Sequence, residues 1–276
     1  MTIQDNPLRK LAPTLSTDEL RRAFLVEGLF RPGEANLHWW ETDRTVMGAV
    51  IPESMPLMLP NPEELKSAHL LDRREAGIIN LGGPGEVVAD GAGFEMDTGD
   101  ALYLGRGTRR VAFASHLHAN PARFWIMSYP AHAAHPAVHV PFKNVQGQAL
   151  GSPANANQRT LHKLIHPGTV ATCQLVMGMT RIEAGGVWNS VPPHTHLRRS
   201  EVYLYFNVPP GQTVVHLMGE PSATRHLMVR DLEAVLSPPW SIHCGAGTAS
   251  YSFVWCMGAE NQEFSDMDPA PVADLC

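Results

Sequence analysis

Two stretches of this chain read as copies of one another, and that repeat limits the fold more than any single motif does. Residues 75–88 and 201–214 align without a gap. Glu75 falls on Glu201, Pro84-Gly85 falls on Pro210-Gly211, and the apolar positions broadly agree. Farther on, Asp100 to Tyr103 matches Glu233 to Leu236, and an aromatic stretch follows in each copy, Phe124 to Met127 and Phe253 to Cys256. The elements inside each copy are short, apolar and bounded by Gly, Pro, Asp or Asn. Residues 77–81, 101–104, 111–113 and 123–127 read as strands in the first copy. Residues 173–179, 201–206, 213–218, 226–229, 234–236 and 251–257 do so in the second. Twenty-three glycines and twenty-three prolines are spread along the 276 residues, which leaves little room for long helices. One helix is signalled, by Ser16 and Glu19 in capping-box spacing ahead of Leu20, Phe24 and Leu25. The expectation is therefore an all-β protein with a few short helices and two similar barrel or sandwich domains, residues 1–150 and 151–276. The Pro-, Gly-, Ala- and Asn-rich stretch 132–160 is the natural connector.

Several classes of function are disfavoured at once. The formal net charge is −6 and no basic run exists, so binding to a phosphate backbone is not expected. No apolar stretch approaches the roughly 18 residues of a membrane span, and the longest, 251–259, reads as a buried strand. The N-terminus lacks an apolar leader. Cys173, Cys244, Cys256 and Cys276 show no CxxC spacing, so a reduced, soluble, cytoplasmic protein is expected.

Among fourteen histidines, three are placed to converge. His194 and His196 are two apart, so on an extended segment both imidazoles point to one side. Glu201 opens the next strand after a short turn, and His243 follows the turn begun by Pro238-Pro239. Three neutral imidazoles and a carboxylate form a borderline nitrogen/oxygen site suited to Zn, Fe, Mn or Ni, with a position left for substrate. The first copy lacks this set. Ala68 and Leu70 stand opposite the two motif histidines, His69 is one residue out of register, Arg110 stands opposite His243, and only Glu75 survives. The first domain is accordingly read as structural and without metal. His116 and His118 form another HxH pair, but no Glu follows, and it reads as a solvent-facing loop.

The motif HxH, a Glu a few residues on, and a later Pro-containing turn ending in His resembles the two motifs of the cupin superfamily. That resemblance implies two jelly-roll barrels, a bicupin. Trp240 departs from it, standing where the cupin turn usually carries Gly. A longer likeness covers nearly the whole chain: Arg159-Thr160, Cys173 to Leu175, Gly178 to Thr180, Trp188-Asn189, His194 to His196, Glu201 to Asn207, Gly219 to Pro221, Thr224 to His226, Ser237 to His243 and Gly258 to Asp268. In the first half it covers Phe24 to Glu27, Asp72 to Glu75, Gly77 to Asn80, Asp100 to Tyr103, Phe113 to Ser115 and Pro130 to His132. In these residues the chain is similar to the 5-keto-4-deoxyuronate isomerase family of pectin breakdown. The resemblance implies one zinc per subunit on His194, His196, Glu201 and His243, a homohexamer, and an anionic sugar substrate. It implies conversion of 5-dehydro-4-deoxy-D-glucuronate to 3-deoxy-D-glycero-2,5-hexodiulosonate.

Such a shift needs the carbonyl oxygen and adjacent hydroxyl held together, a Lewis acid, and a base to carry a proton between neighbouring carbons. If Glu201 points inward, strand parity turns Tyr203 and Tyr205 inward too, making both candidates for that relay. The substrate carboxylate calls for an arginine fork, with Arg198, Arg199 and Arg225 near the motif in sequence. Glu260 and Gln262, after the last strand, are candidates for the barrel mouth. The same cage also suits two other enzymes, a 5-deoxyglucuronate isomerase of inositol catabolism and an Fe(II) cupin dioxygenase. Absence of a basic patch speaks against a uronate-sensing regulator.

Overall fold

The computed structural model describes residues 7–263 and 265–276. The named strands pair antiparallel throughout, and they close two barrels in which a large sheet faces a smaller one. In the first barrel the large sheet runs Val138–Val140, Ala101–Leu104, Arg74–Asn80, Phe124–Pro130, Thr45–Val50, Ala35–Trp40. The small sheet runs Leu57–Met58, Val111–Ser115, Gly85–Ala89, Ala92–Met96. In the second barrel the large sheet runs Leu25–Val26, Glu233–Ser237, Arg199–Phe206, Ser252–Ala259, Val176–Ile182, Arg159–Ile165, Gln148–Leu150. Its small sheet runs Trp188–Asn189, Cys244–Gly247, Val214–Glu220, Ala223–Val229. The all-β expectation holds. The stretch 132–160 is less of a linker than its composition suggests, because it gives one strand to the first barrel and one to the second.

Three apolar clusters account for the packing. One fills the first barrel around Ile78, Leu102, Phe113 and Phe124. A second fills the other barrel around Tyr203, Tyr205, Phe253 and Trp255. The third lies where the two large sheets meet face to face, with Met47, Trp125 and Tyr129 against Met177, Val202 and Cys256. Strands of these sheets are therefore covered on both sides, and every residue of Arg74–Asn80 and Arg199–Phe206 is buried. The sheets approach so closely that a β-carbon on Gly77 would run into the Met177 side chain, and one on Gly258 into the Tyr129 ring.

Double coverage also explains a difference in the repeat. Along Arg199–Phe206, Glu201, Tyr203 and Tyr205 face the barrel interior, while Val202 and Leu204 face the other barrel. Along Arg74–Asn80 it is Ala76 and Ile78 that face inward, and Ile79 that faces the neighbour. Ala76 lies between Leu104 and Ser128 as Glu201 lies between Ser237 and Met257, so the ungapped match of Glu75 with Glu201 is one residue out in space. A slip of one residue turns a side chain to the opposite face. Glu75 accordingly leaves its own barrel, and its carboxylate accepts the backbone N–H groups of Cys173, Gln174 and Leu175 and the Tyr103 hydroxyl. Residues 173–175, expected as strand, are the loop this carboxylate captures.

The helix Thr17–Phe24 forms with the capping box its sequence signals, Ser16 Oγ accepting from Glu19 N–H at 3.3 Å and Glu19 Oε2 from Ser16 N–H at 2.9 Å. Although it precedes the first barrel in sequence, it seals the second. Leu20 and Phe24 are buried there, and Leu25–Val26 extends that barrel's sheet. Trp240 meets the Phe24 ring edge-on at 6.0 Å, so the residue that departs from the cupin turn docks the helix.

Candidate metal centre

His194 and His196 flank Thr195 in the short strand His194–Thr195 and the turn after it, so both rings face the barrel mouth, with centroids 4.6 Å apart. Glu201 is the third residue of Arg199–Phe206 and points inward from the large sheet. His243 arrives from the opposite sheet, at the end of a turn fixed by Ser241. Ser241 N–H donates to Pro238 O, Ser241 Oγ accepts from Gly219 N–H, and Ile242 N–H donates to Gly219 O, each at 2.9 Å. One ligand atom from each of the four residues lies within 4.8 Å of all the others. Glu201 Oε1 is 2.9 Å from His196 Nε2, Glu201 Oε2 is 3.6 Å from His243 Nε2, and the Nε2 atoms of His194 and His243 are 3.1 Å apart. Tetrahedral ligands bonded at about 2.0–2.1 Å have edges of roughly 3.3 Å, so these three spacings are of the size a small divalent cation requires.

The protonation pattern makes the same point. His196 is placed to donate through Nδ1–H to the Asp266 carbonyl at 2.6 Å, which leaves a lone pair on Nε2 aimed at the Glu201 carboxylate. His243 Nδ1 lies 3.1 Å from Ser237 Oγ, a partner on the side of the ring away from the other ligands. Burial pushes His194 down to about 4 and His243 well below its ordinary value, so both stay neutral near pH 7. Burial alone would raise Glu201, but its carboxyl is held at about 2 beside His243 and His196, so it is the anionic member of the group. Two neutral imidazoles, a third ring whose Nδ1 faces the Asp266 carbonyl, and one carboxylate therefore converge. A divalent cation is the species that satisfies such a set.

A cavity of about 290 Å³ opens beside these groups. Phe253, Trp255 and Met257 form its apolar wall, and Arg159, Thr180, Ser190 and Tyr203 supply its polar one. A larger, shallower depression of about 970 Å³ lies on the first barrel, lined by His69, Arg109 and Arg110, with no converging ligand set among the described residues. The smaller cavity is therefore the functional candidate.

The other sequence candidates separate clearly. Tyr203 lines the cavity, its ring 5.3 Å from that of His243 and its hydroxyl 3.1 Å from Ser190 Oγ. Tyr205 is inward-facing, as parity requires, but lies deeper, its hydroxyl committed to His216 Nδ1 at 2.7 Å and Asn189 Nδ2 at 3.4 Å. None of the three arginines expected at the substrate carboxylate reaches the cavity. Arg198 pairs with Asp266 and Asp268, and the fully buried Arg199 donates to the Asp266 carbonyl at 2.7 Å. Arg225 instead clamps the N-terminal arm, donating to the carbonyls of Ala12, Pro13 and Leu15. Glu260 is exposed, and Gln262 donates to Thr172 Oγ1 and Leu175 O outside the barrel. The cavity's cation is one the motif did not suggest. Arg159 is the only Lys or Arg among the described lining residues; its side chain donates from Nη1 to Asn157 O at 2.9 Å and has no carboxylate partner among the described residues. Its signal in the sequence was its place in the longer likeness, as Arg159-Thr160, rather than any nearness to the histidine motif.

The chain matches the KduI/IolB family over residues 24–271. It is 48% identical over 266 residues to the 4-deoxy-L-threo-5-hexosulose-uronate ketol-isomerase of Kineococcus radiotolerans, covering 95% of each chain. It is 47% identical over 277 residues to the protein of the same name from Opitutus terrae, covering all of both. Among solved structures, an IolB-like protein from Salmonella typhimurium superposes with a TM-score of 0.72 at 16% identity, over 87% of this chain and 94% of that one. Oxalate decarboxylase from Lactobacillus farciminis does so with a TM-score of 0.57 at 12% identity, over 88% and 89%. These distant structures share the two-barrel cupin fold, while the sequence match extends through the metal motif and the strands that carry it. With fold, motif and full-length similarity in agreement, the chain belongs to the KduI/IolB family.

Proposed function

We propose that this protein is a metal-dependent ketol-isomerase that converts 5-dehydro-4-deoxy-D-glucuronate to 3-deoxy-D-glycero-2,5-hexodiulosonate. The observation that carries the reading is a four-donor metal set, three members of which line one cavity, together with an arginine in that cavity's wall that has no carboxylate partner among the described residues. The full-length relatives named as ketol-isomerases support it. His194, His196, Glu201 and His243 would hold the cation, and when bound it supplies Lewis acidity toward a neighbouring carbonyl and hydroxyl. Zinc suits the donor set, and the resemblance adds a cytoplasmic homohexamer to the proposal.

The remaining work falls to the chain's own side chains. Arg159 offers a guanidinium to the substrate carboxylate from the wall of the cavity. Phe253, Trp255 and Met257 exclude water from the reacting carbons. The Tyr203 hydroxyl, tied to Ser190, is held protonated because burial and then the Glu201 charge raise it well above its ordinary value. It can therefore give a hydrogen bond, or a proton, to a substrate oxygen that gains charge. Tyr205 and His216 pack edge-on against its ring, with centroids at 6.3 and 5.9 Å. A volume of about 290 Å³ suits one monosaccharide and not a polymer.

The test is turnover by zinc-loaded protein under anaerobic conditions, with 5-keto-4-deoxyuronate and 5-deoxyglucuronate offered in parallel. Conversion of the first supports the proposal. Exclusive conversion of the second would move the chain to inositol-derived substrates, and a requirement for iron and oxygen would make it an oxygenase.

A further inference from the structure

The chain does not end at the last strand of the barrel. Beyond Ser252–Ala259 it turns back across the outside of the metal-bearing turn, and Asp268–Pro269 pairs with His194–Thr195 as a separate two-stranded ribbon. Ala270 N–H donates to Pro193 O at 3.0 Å, and Glu260 N–H to Arg198 O at 3.2 Å, so the returning segment is stitched down at both ends. Met267 reaches the cavity wall. Between the stitches, one residue is gripped at both its backbone and its side chain. The Asp266 carbonyl faces His196 Nδ1 at 2.6 Å and Arg199 Nη2 at 2.7 Å, two donors for its two lone pairs. The Asp266 carboxylate takes Arg198 Nε at 2.8 Å, with Arg198 Nη2 and Asn261 Nδ2 closing on it as well.

We propose that Asp266 is a positioning residue, and that the clasp Arg198 and Arg199 close on it fixes the His196 ring and so sets how tightly the site holds a divalent cation. This rests on the metal-site reading above. The physical argument concerns the two nitrogens of imidazole. A ring free to choose its tautomer presents a lone pair at Nε2 only part of the time, whereas a ring that donates from Nδ1 to a fixed carbonyl presents it always. The carbonyl belongs to a segment outside the barrel, so its place depends on what anchors that segment. Arg198 supplies the anchor as a fork on a carboxylate, a geometry that holds direction as well as distance. Arg199 is buried and brings positive charge close to the cation site. Its Nη2 is committed to the same carbonyl, which turns a group that would repel the metal into part of the support for its ligand. Two adjacent arginines that look like a substrate fork in the sequence thus serve the metal indirectly.

The test uses the full-length protein, with zinc alone as the probe and a chromogenic chelator as competitor. Arg198 is partly exposed and Asp266 sits at the surface side of the clasp, so Arg198→Met and Asp266→Asn leave both barrel cores untouched. Each should weaken zinc binding by about 10–100-fold, as loss of an outer partner does at other metal sites, while Arg198→Lys should lie between parent and Arg198→Met. The visible spectrum of cobalt-loaded Arg198→Met should also shift, because His196 is the ligand disturbed. Zinc affinity in both variants within about twofold of parent, with only a lowered thermal midpoint, would overturn the proposal and leave the clasp a structural strap. If the parent itself holds no zinc, the metal-site reading fails first and this inference falls with it.

Discussion

The Glu75 carboxylate, on the first barrel, takes the backbone N–H of Leu175, on the second, at 2.9 Å. It also takes those of Gln174 at 2.8 Å and Cys173 at 2.7 Å, and the Tyr103 hydroxyl at 2.8 Å. One fully buried carboxylate thus answers four donors, three of them across the interface between barrels. Glu75→Ala would leave three backbone donors without an acceptor, and a buried polar group left unpaired costs about 1–3 kcal/mol. The expected loss is about 3 kcal/mol or more in urea unfolding, with unchanged zinc content in the folded protein. Tyr103→Phe, which removes one donor and strands none, should cost only about 1 kcal/mol. Equal losses in the two variants would contradict this account.

His243 stands on a turn held by Ser241 and Gly219 through bonds that do not involve the imidazole. His243→Ala should therefore fold with the parent's circular dichroism. It should lose metal and isomerase activity together, since three donors remain where four are needed. Full activity in that variant would sink the site assignment.

What could be read from sequence, and what could not, follows from how local each signal is. His194 and His196 lie two apart on extended chain, where side-chain direction follows from counting, Glu201 opens the strand after one short turn, and His243 is marked by the turn before it. Arg159 reaches the same cavity from Arg159–Ile165, a strand whose place beside the motif is decided only by sheet order. Glu75 failed differently. Every residue of Arg74–Asn80 is buried, so the polar–apolar alternation that normally marks the inner face is gone, and a register one residue out could not be recognised. Arg225 was near in sequence but lies on a strand of the small sheet that meets the N-terminal arm.

Arg159 is half-buried among Tyr203, Phe253 and Trp255 and lacks an anionic partner in the described chain. If it receives the substrate carboxylate, Arg159→Met removes a charge-assisted pair worth about 1.5–3 kcal/mol. That corresponds to a rise in KM of roughly 10–150-fold, with zinc content unchanged. Arg159→Lys keeps the charge and loses the fork, so its KM should fall between the two. Steady-state kinetics decides, and a KM unmoved by either change would remove Arg159 from the substrate site.

Tyr203 and Tyr205 offer a contrast on one strand. The Tyr203 hydroxyl borders the cavity, whereas that of Tyr205 is spent on His216 and Asn189. Tyr203→Phe should lower kcat by about 10²-fold or more, the size of a lost proton-transfer partner, with little change in KM or bound zinc. Tyr205→Phe should instead lower stability by about 1 kcal/mol and leave kcat within a few-fold of parent. Reversed results would transfer the relay to Tyr205.

Acid should act on the metal-free protein through its buried imidazoles. Burial lowers His216 to about 3 and His194 to about 4, against an ordinary value of 6.5. As pH falls through 6.5, the unfolded chain takes up protons that the folded chain refuses. The stability that depends on neutral rings is therefore complete above that value and is lost progressively below it. Each such histidine steepens the loss by up to about 1.4 kcal/mol per pH unit, until its folded value is reached. His216 is the cleaner probe, because it touches Tyr205 and none of the four metal-binding side chains through a hydrogen bond. His216→Gln leaves the Tyr205 hydroxyl an acceptor but has no proton to bind. Urea unfolding of the metal-free proteins between about pH 7 and about pH 5 should show a shallower decline for this variant than for parent. Parallel declines would mean that His216 does not carry the acid sensitivity.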